Sequence, residues 1–291
     1  MWARPQLLAQ LEHFTEEQQQ SLAVALCLIF TMKLGIPPEN LMKELLQDEL
    51  VAKGTMLRFV TSFFKANLHD APVEDLIALL RKGRVEDLML FFPMQKRSPE
   101  DFKKHFTQAG LPALVNYQER KLAEQGLHEL KLRLQEHIEE TPNGVSEAIE
   151  MVKEMSAEHE GSIPQNMLVE TLWKAIMDTL QISGKNQQQA SNAALRQLKV
   201  WGKLLAAYAT TPRLQVELLI TVQLWCYESQ EVMKAFRDII HLLYETDVVS
   251  EEAVLYWAKK GSAHKGRAMF LENAAPFIKW LEEAESEDDD E

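Results

Sequence analysis

Apolar residues recur along this chain at three- and four-residue intervals almost without interruption. Leu168, Val169, Leu172, Trp173, Ile176 and Leu180 mark the stripe of a helix with one buried face, and Leu195, Leu198, Leu204, Leu205 and Tyr208 repeat it approximately. Helix starts are written at Ser98-Pro99-Glu100, Thr211-Pro212 and Ser250-Glu251-Glu252, where a capping residue precedes a proline or carboxylates. Breaks fall at Gly35-Ile36-Pro37-Pro38, Ala71-Pro72, Thr141-Pro142-Asn143-Gly144, Gly161-Ser162-Ile163-Pro164 and Ser183-Gly184-Lys185-Asn186. No alternating β-branched run competes with this pattern. The expected fold is all-α, with roughly a dozen amphipathic helices joined by short loops. Each helix would pack mainly on its neighbours, as in a degenerate HEAT-like solenoid. No crisp repeat at a fixed period supports a tetratricopeptide or ankyrin array.

The 291 residues allow one large or two ordinary domains. The best break is Phe91-Phe92-Pro93-Met94-Gln95-Lys96-Arg97-Ser98-Pro99, with two prolines, a charge cluster and a fresh helix start. The expected division is therefore a helical domain over 1–95, a second over 98–285 and an acidic, disordered tail over 286–291.

Charge changes the picture at one end only. Residues 1–104 hold 13 Lys and Arg against 14 Asp and Glu, whereas residues 105–291 hold 18 against 30. Eight of those carboxylates lie in the last ten residues, Glu282 to Glu291, directly after the stripe Pro276-Phe277-Ile278-Lys279-Trp280-Leu281. Most acidic tails simply solvate a chain end. One fused to a tryptophan-bearing helix is also suited to a lysine-rich partner, with capture that weakens as salt rises. A pI near 5.2 argues against non-specific nucleic-acid binding by the whole chain.

Ser286, followed by Glu287, Asp288 and Asp289, is a candidate site for an acidophilic kinase. Two basic clusters stand apart from the acidic end. Lys96, Arg97, Lys103 and Lys104 lie near the expected domain break, and Lys259, Lys260, Lys265 and Arg267 flank the last inter-helix loop. Solvated faces explain most such clusters; the functional alternative is a scaffold that holds RNA or an acidic protein.

Enzyme signatures are missing. No His-Glu-x-x-His occurs, and no Gly-x-Ser-x-Gly elbow or dinucleotide fingerprint. Gly261 and Gly266 bracket four residues, but Arg267 stands where a phosphate-binding loop needs lysine. A non-enzymatic protein with no cofactor and no metal is expected. Cys27 and Cys226 sit inside apolar helical patterns and are expected to be buried thiols. The longest apolar run, Leu22 to Phe30, is too short to span a bilayer, and the start of the chain does not read as a secretory signal. No membrane association and a cytoplasmic location are expected.

Ser250-Glu251-Glu252-Ala253-Val254-Leu255-Tyr256-Trp257, a basic loop, and Phe277-Ile278-Lys279-Trp280-Leu281-Glu282-Glu283-Ala284-Glu285 together resemble the second aromatic and acidic box of W2 domains. These are HEAT-type domains at the C-termini of translation initiation factor 5, initiation factor 2B epsilon and initiation factor 4G. Leu172-Trp173-Lys174-Ala175-Ile176-Met177 is similar to the first box. Upstream, Phe14-Thr15-Glu16-Glu17-Gln18-Gln19, Leu90-Phe91-Phe92-Pro93 and Asp101-Phe102-Lys103-Lys104-His105-Phe106-Thr107-Gln108-Ala109-Gly110-Leu111 are similar to the basic leucine-zipper and W2 domain proteins, the initiation factor 5 mimics.

The resemblance covers residues 7–285. It implies that residues 1–95 are the later part of a longer HEAT or middle-4G-like domain and that residues 98–285 are a W2 domain. It also implies a regulator of translation initiation that binds initiation factors 2 and 3, competes with initiation factor 5, affects start-codon selection and meets the ribosomal preinitiation complex. The partner implied for the acidic box is the lysine-rich segment of the initiation factor 2 beta subunit. Carried onto this chain, the box residues are Glu251, Glu252, Glu282, Glu283 and Glu285, with Trp257 and Trp280 as their scaffold. One departure is local: Ala258-Lys259-Lys260 follows Trp257 where some W2 domains place carboxylates.

Overall fold

The computed structural model describes residues 11–32, 37–46, 48–85, 87–158, 163–260 and 264–288; the side chains of 40, 41, 43, 158 and 284–288 fall outside that description. Among the described residues every regular element is helical. In chain order they are α1 (Glu16–Thr31), α2 (Pro38–Leu45), α3 (Asp48–Ala52), α4 (Thr55–Asp70), α5 (Val73–Lys82), α6 (Pro99–Gln108), α7 (Pro112–Glu140) and α8 (Val145–Glu158). They continue as α9 (Gln165–Asp178), α10 (Gln187–Tyr208), α11 (Pro212–Glu228), α12 (Phe236–Glu245), α13 (Glu251–Lys260) and α14 (Arg267–Asp288).

The three start signals in the sequence are all used. The Ser98 hydroxyl accepts from the Asp101 N–H at 3.0 Å, Thr211 from Leu214 at 3.3 Å and Ser250 from Ala253 at 3.3 Å, each satisfying an N–H that has no partner inside its helix. Asn186 and Gln189 close a reciprocal capping box at the start of α10.

The chain divides into two compact units, Met1–Glu119 and Arg120–Glu291, with the division inside α7. In the first unit α1 packs along α4, and α2, α3 and α5 complete the set. Phenylalanines from three elements meet in its core. Phe64 of α4 lies 5.9 Å from Phe91 and 6.1 Å from Phe106 of α6, and Phe102 lies 4.7 Å from Phe106. Phe92 joins Phe102 at 5.7 Å. The expected domain break at 91–99 therefore runs through the middle of this core: its prolines and charges mark a surface turn, while the aromatic residues on both sides share one interior.

His105 lies at the rim of that core. Its Nε2 is 2.9 Å from the Thr61 hydroxyl, which donates to the Leu57 carbonyl at 2.6 Å, so the ring donates from Nε2. Burial lowers the His105 pKa, and the charge of Lys65 lowers it further. The unfolded chain therefore binds this proton more readily than the folded one does. The associated stability is full above the ordinary histidine pKa of about 6.5 and is lost as pH falls below it. Melting curves from pH 7 to pH 5 should fall less steeply for His105→Gln than for the unaltered protein. Identical slopes would remove His105 from the acid response.

The second unit is two layers of helices. On one side α8 packs on α10, α10 on α12 and α12 on α14; on the other α9 packs on α11 and α11 on α13. The sequence neighbours α9–α10, α11–α12 and α13–α14 join the layers. This is the HEAT arrangement, in which no helix pair can bury its apolar face without the next. The helix α14 reaches Asp288, so the first three residues of the expected tail continue a helical backbone; 289–291 lie outside the described residues.

Candidate functional site

The aromatic and acidic stretches meet where α13 and α14 close the second unit. The start of α13 is fixed by α11: Gln215 Oε1 accepts from the Ser250 N–H at 2.9 Å and from its hydroxyl at 2.7 Å. Glu251 and Glu252 then occupy the first helical turn, where the helix dipole favours carboxylates. Glu252 is exposed. Glu251 is half-buried, and its Oε1 is enclosed without a hydrogen-bond partner.

Trp257 is fully buried, 5.3 Å from Phe236. Its indole N–H donates to Gln223 Oε1 at 3.0 Å, and Gln223, itself 0% exposed, donates from Nε2 to the Lys265 carbonyl at 2.8 Å. A single amide thus links α11, α13 and the turn into α14. Arg267 secures the same turn. Its Nη1 and Nη2 donate to the carbonyls of Trp257 and Ala258 at 3.0 and 2.9 Å, satisfying the C-terminal end of α13, and its guanidinium lies 5.7 Å from the Trp257 ring. Gly266 has φ +75°, and a Cβ there would lie 2.5 Å from the Tyr227 ring. Only glycine suits that position.

On α14 the buried residues are Phe270, Ala274, Phe277 and Leu281. At about 100° per residue, Trp280 falls roughly a quarter-turn from the centre of that stripe. It is 51% exposed, stacked on Phe277 at 6.1 Å and edge-on to Tyr244 at 6.0 Å. The two expected scaffold indoles therefore differ: Trp257 is core, and Trp280 offers much of its surface to solvent.

The acidic residues that follow Trp280 in sequence carry counter-charges from within the unit. Lys259 Nζ lies 3.3 Å from Glu282 Oε1, and Lys279 Nζ lies 3.4 Å from Glu283 Oε1. Glu285 and Ser286 sit on the last turns of α14, and their side chains lie outside the described residues.

The stretch resembling a first box is interior. Trp173 is fully buried, edge-on to Trp225 at 5.7 Å, and its Nε1 lacks a hydrogen-bond partner; Lys174 pairs with Glu170 at 2.6 Å. The basic candidates divide by role. Arg97 donates to the carbonyls of Phe92 and Leu90 at 2.9 and 3.3 Å and Lys103 pairs with Glu119 at 2.8 Å, while Lys96 and Lys104 are exposed. At the other cluster Lys260 lies over the Tyr256 ring at 5.9 Å and Lys265 is exposed. Cys27 and Cys226 are both buried free thiols, and burial pushes the Cys226 pKa far up, so that thiol stays protonated. No group of three or more His, Cys, Asp or Glu residues suited to a metal occurs among the described residues, and no described helix is long and apolar enough to cross a membrane.

Sequence reasoning passed over Gln223 and Gln215. The available signal was a glutamine on the apolar face made by Leu218, Leu219, Val222 and Cys226. An amide placed there must find partners, because an unpaired buried polar group is costly.

Paired helix layers of this kind define a HEAT-type helical protein. The family model of the 5MP1/2 HEAT domain matches residues 3–128, and the W2 model, described as eIF4-gamma/eIF5/eIF2-epsilon, matches residues 214–291. The chain is 32% identical over 287 residues to eIF5-mimic protein 1 of Mus musculus, an alignment covering 98% of this chain and 67% of that protein. Human eIF5-mimic protein 2 is 31% identical over 286 residues with the same shares, and eIF5-mimic protein 1 of Danio rerio 32% identical over 287 residues, 66% of its length. The chain belongs to the eIF5-mimic protein family.

Proposed function

We propose that this chain is a non-enzymatic, cytoplasmic regulator of translation initiation whose W2 domain binds initiation factors 2 and 3. By binding them it competes with initiation factor 5 and affects start-codon selection within the preinitiation complex. Membership of the eIF5-mimic family and the W2 match support the general role. The observation that carries the partner class is Trp280, half-exposed on a stacked aromatic platform, with the exposed carboxylates Glu282 and Glu283 in the next turn of α14. Tryptophan anchors are over-represented among residues that dominate binding energy, and an indole face also attracts ammonium groups. A lysine-rich segment of the initiation factor 2 beta subunit has that chemistry.

The acidic tail raises the encounter rate, and Glu251, Glu252, Glu282, Glu283 and Glu285 supply the specific contacts. Phosphorylation of Ser286 would add about −1.5 to −2 charges and strengthen capture. The alternative, a scaffold holding RNA or an acidic protein on its basic clusters, has less to recommend it, because Arg97, Lys103, Lys259 and Arg267 all have partners within the chain.

Pull-down of the lysine-rich beta-subunit segment is the test. The triple reversal Glu282→Lys, Glu283→Lys, Glu285→Lys should abolish salt-sensitive capture, and Trp280→Ala should weaken it while leaving the melting temperature nearly unchanged. Capture that survives the triple reversal would rule out the acidic box as the docking site.

A further inference from the structure

We infer that Lys259 and Lys279 are internal competitors for the acidic box, occupying the carboxylates that a lysine-rich partner would need. The inference rests on the docking role proposed above and concerns how that same surface is regulated. Four described carboxylates belong to the box, and two of them already face an ammonium group. The Lys259–Glu282 pair joins the end of α13 to α14 at 3.3 Å, and Lys279–Glu283 spans one turn of α14 at 3.4 Å. At about 100° per residue Glu283 falls on the Trp280 side of α14, whereas Glu282 lies on the opposite flank, facing α13. Glu252, by contrast, is exposed with no ion pair among the described residues.

An incoming lysine must displace one of the resident ammonium groups or share a carboxylate with it. Either way the new contact is offset by the one lost. The resident pairs are exposed, with side chains 57% and 44% accessible for Lys259 and Glu282, so each is weak enough to be exchanged. The Lys279–Glu283 order, with lysine N-terminal to glutamate, is also the less favourable orientation on a helix. The box is thus held partly neutral until a partner of high lysine density arrives. A partner with several lysines can exchange both pairs and reach Glu252 as well, whereas an isolated lysine gains little. Any modification that removes the Lys259 or Lys279 charge, lysine acylation being the obvious class, would open the box.

The probe is a ten-residue oligolysine peptide, titrated against the full chain at low and at physiological salt. Lys259→Gln and Lys279→Gln should each tighten binding by about 1.5- to 5-fold at low salt, and the double variant should tighten it further. Lys260→Gln is the control. It removes the same formal charge from the same helix end, but Lys260 lies over Tyr256 rather than on a carboxylate. It should change affinity far less.

Equal tightening by Lys260→Gln would overturn the inference, since net charge alone would then explain the effect. So would unchanged affinity in the double variant when the wild-type chain binds the probe and the triple reversal of Glu282, Glu283 and Glu285 abolishes that binding; the docking role would stand in that case. If neither the wild type nor the double variant binds, both readings fall. Binding that appears only in the double variant would support the competitor role directly.

Discussion

Replacing Trp257 with alanine should lower the stability of the second unit by about 3–5 kcal/mol, the usual cost of removing a large aromatic side chain from a closed core. The indole is fully buried, packs on Phe236 and carries the ring face that Arg267 approaches. Its loss also strands Gln223 Oε1, a buried acceptor whose desolvation is no longer compensated. Gln223→Leu tests the hydrogen bonds of this junction separately from the loss of the indole. It keeps an apolar side chain at the site but leaves the buried Trp257 N–H without its partner, at about 1–3 kcal/mol. Denaturant unfolding followed by tryptophan emission reports mainly on this unit, because five of the six tryptophans, Trp173, Trp201, Trp225, Trp257 and Trp280, lie within it. A Trp257→Ala midpoint close to that of the unaltered chain would refute the account of the α11–α13–α14 junction.

Phe106→Ala should have an effect of similar size on the first unit, again about 3–5 kcal/mol. Phe106 is fully buried and meets Phe64, Phe92 and Phe102 within 6.1 Å, so no single neighbour can close over the cavity its loss would leave. Amide hydrogen exchange over residues 55–108 should accelerate across α4, the Leu88–Phe91 turn and α6 together, because these elements share one interior. Acceleration confined to α6 would mean that the expected break at 91–99 is a real domain boundary.

Much of this architecture was legible in the sequence because helical amphipathicity is a local property. The 3.6-residue stripes, the Ser98, Thr211 and Ser250 caps and the glycine and proline breaks each act within one or two turns, and the helices start accordingly. The domain boundary was not legible in the same way. Prolines and charges at 93–99 announce a turn, yet whether a turn separates two cores depends on where Phe91, Phe92, Phe102 and Phe106 pack, and that is a long-range matter.

The box divides along the same line. Its residue types could be read directly: the tryptophans, the first-turn carboxylates of α13 and the acidic run after α14. Even the exposure of Trp280 follows from its angle to the Phe270, Ala274, Phe277 and Leu281 stripe once α14 is known to bury that face. Which basic residues are structural was hidden. Arg267 reads as a surface cation but satisfies the last carbonyls of α13, and Arg97 satisfies those of Leu90 and Phe92.

The sequence alone determined the helical class and the chemistry gathered at the C-terminal end, because short-range periodicity and residue type suffice for each, and the resemblance of its motifs pointed to the family. Tertiary structure decided which of those groups face solvent and which are already paired. The meeting of Lys259 with Glu282, 23 positions apart in sequence, and of Trp257 with Gln223, 34 apart, depends on how neighbouring helices pack. Packing is set by the fit of whole helix faces, which no local pattern encodes.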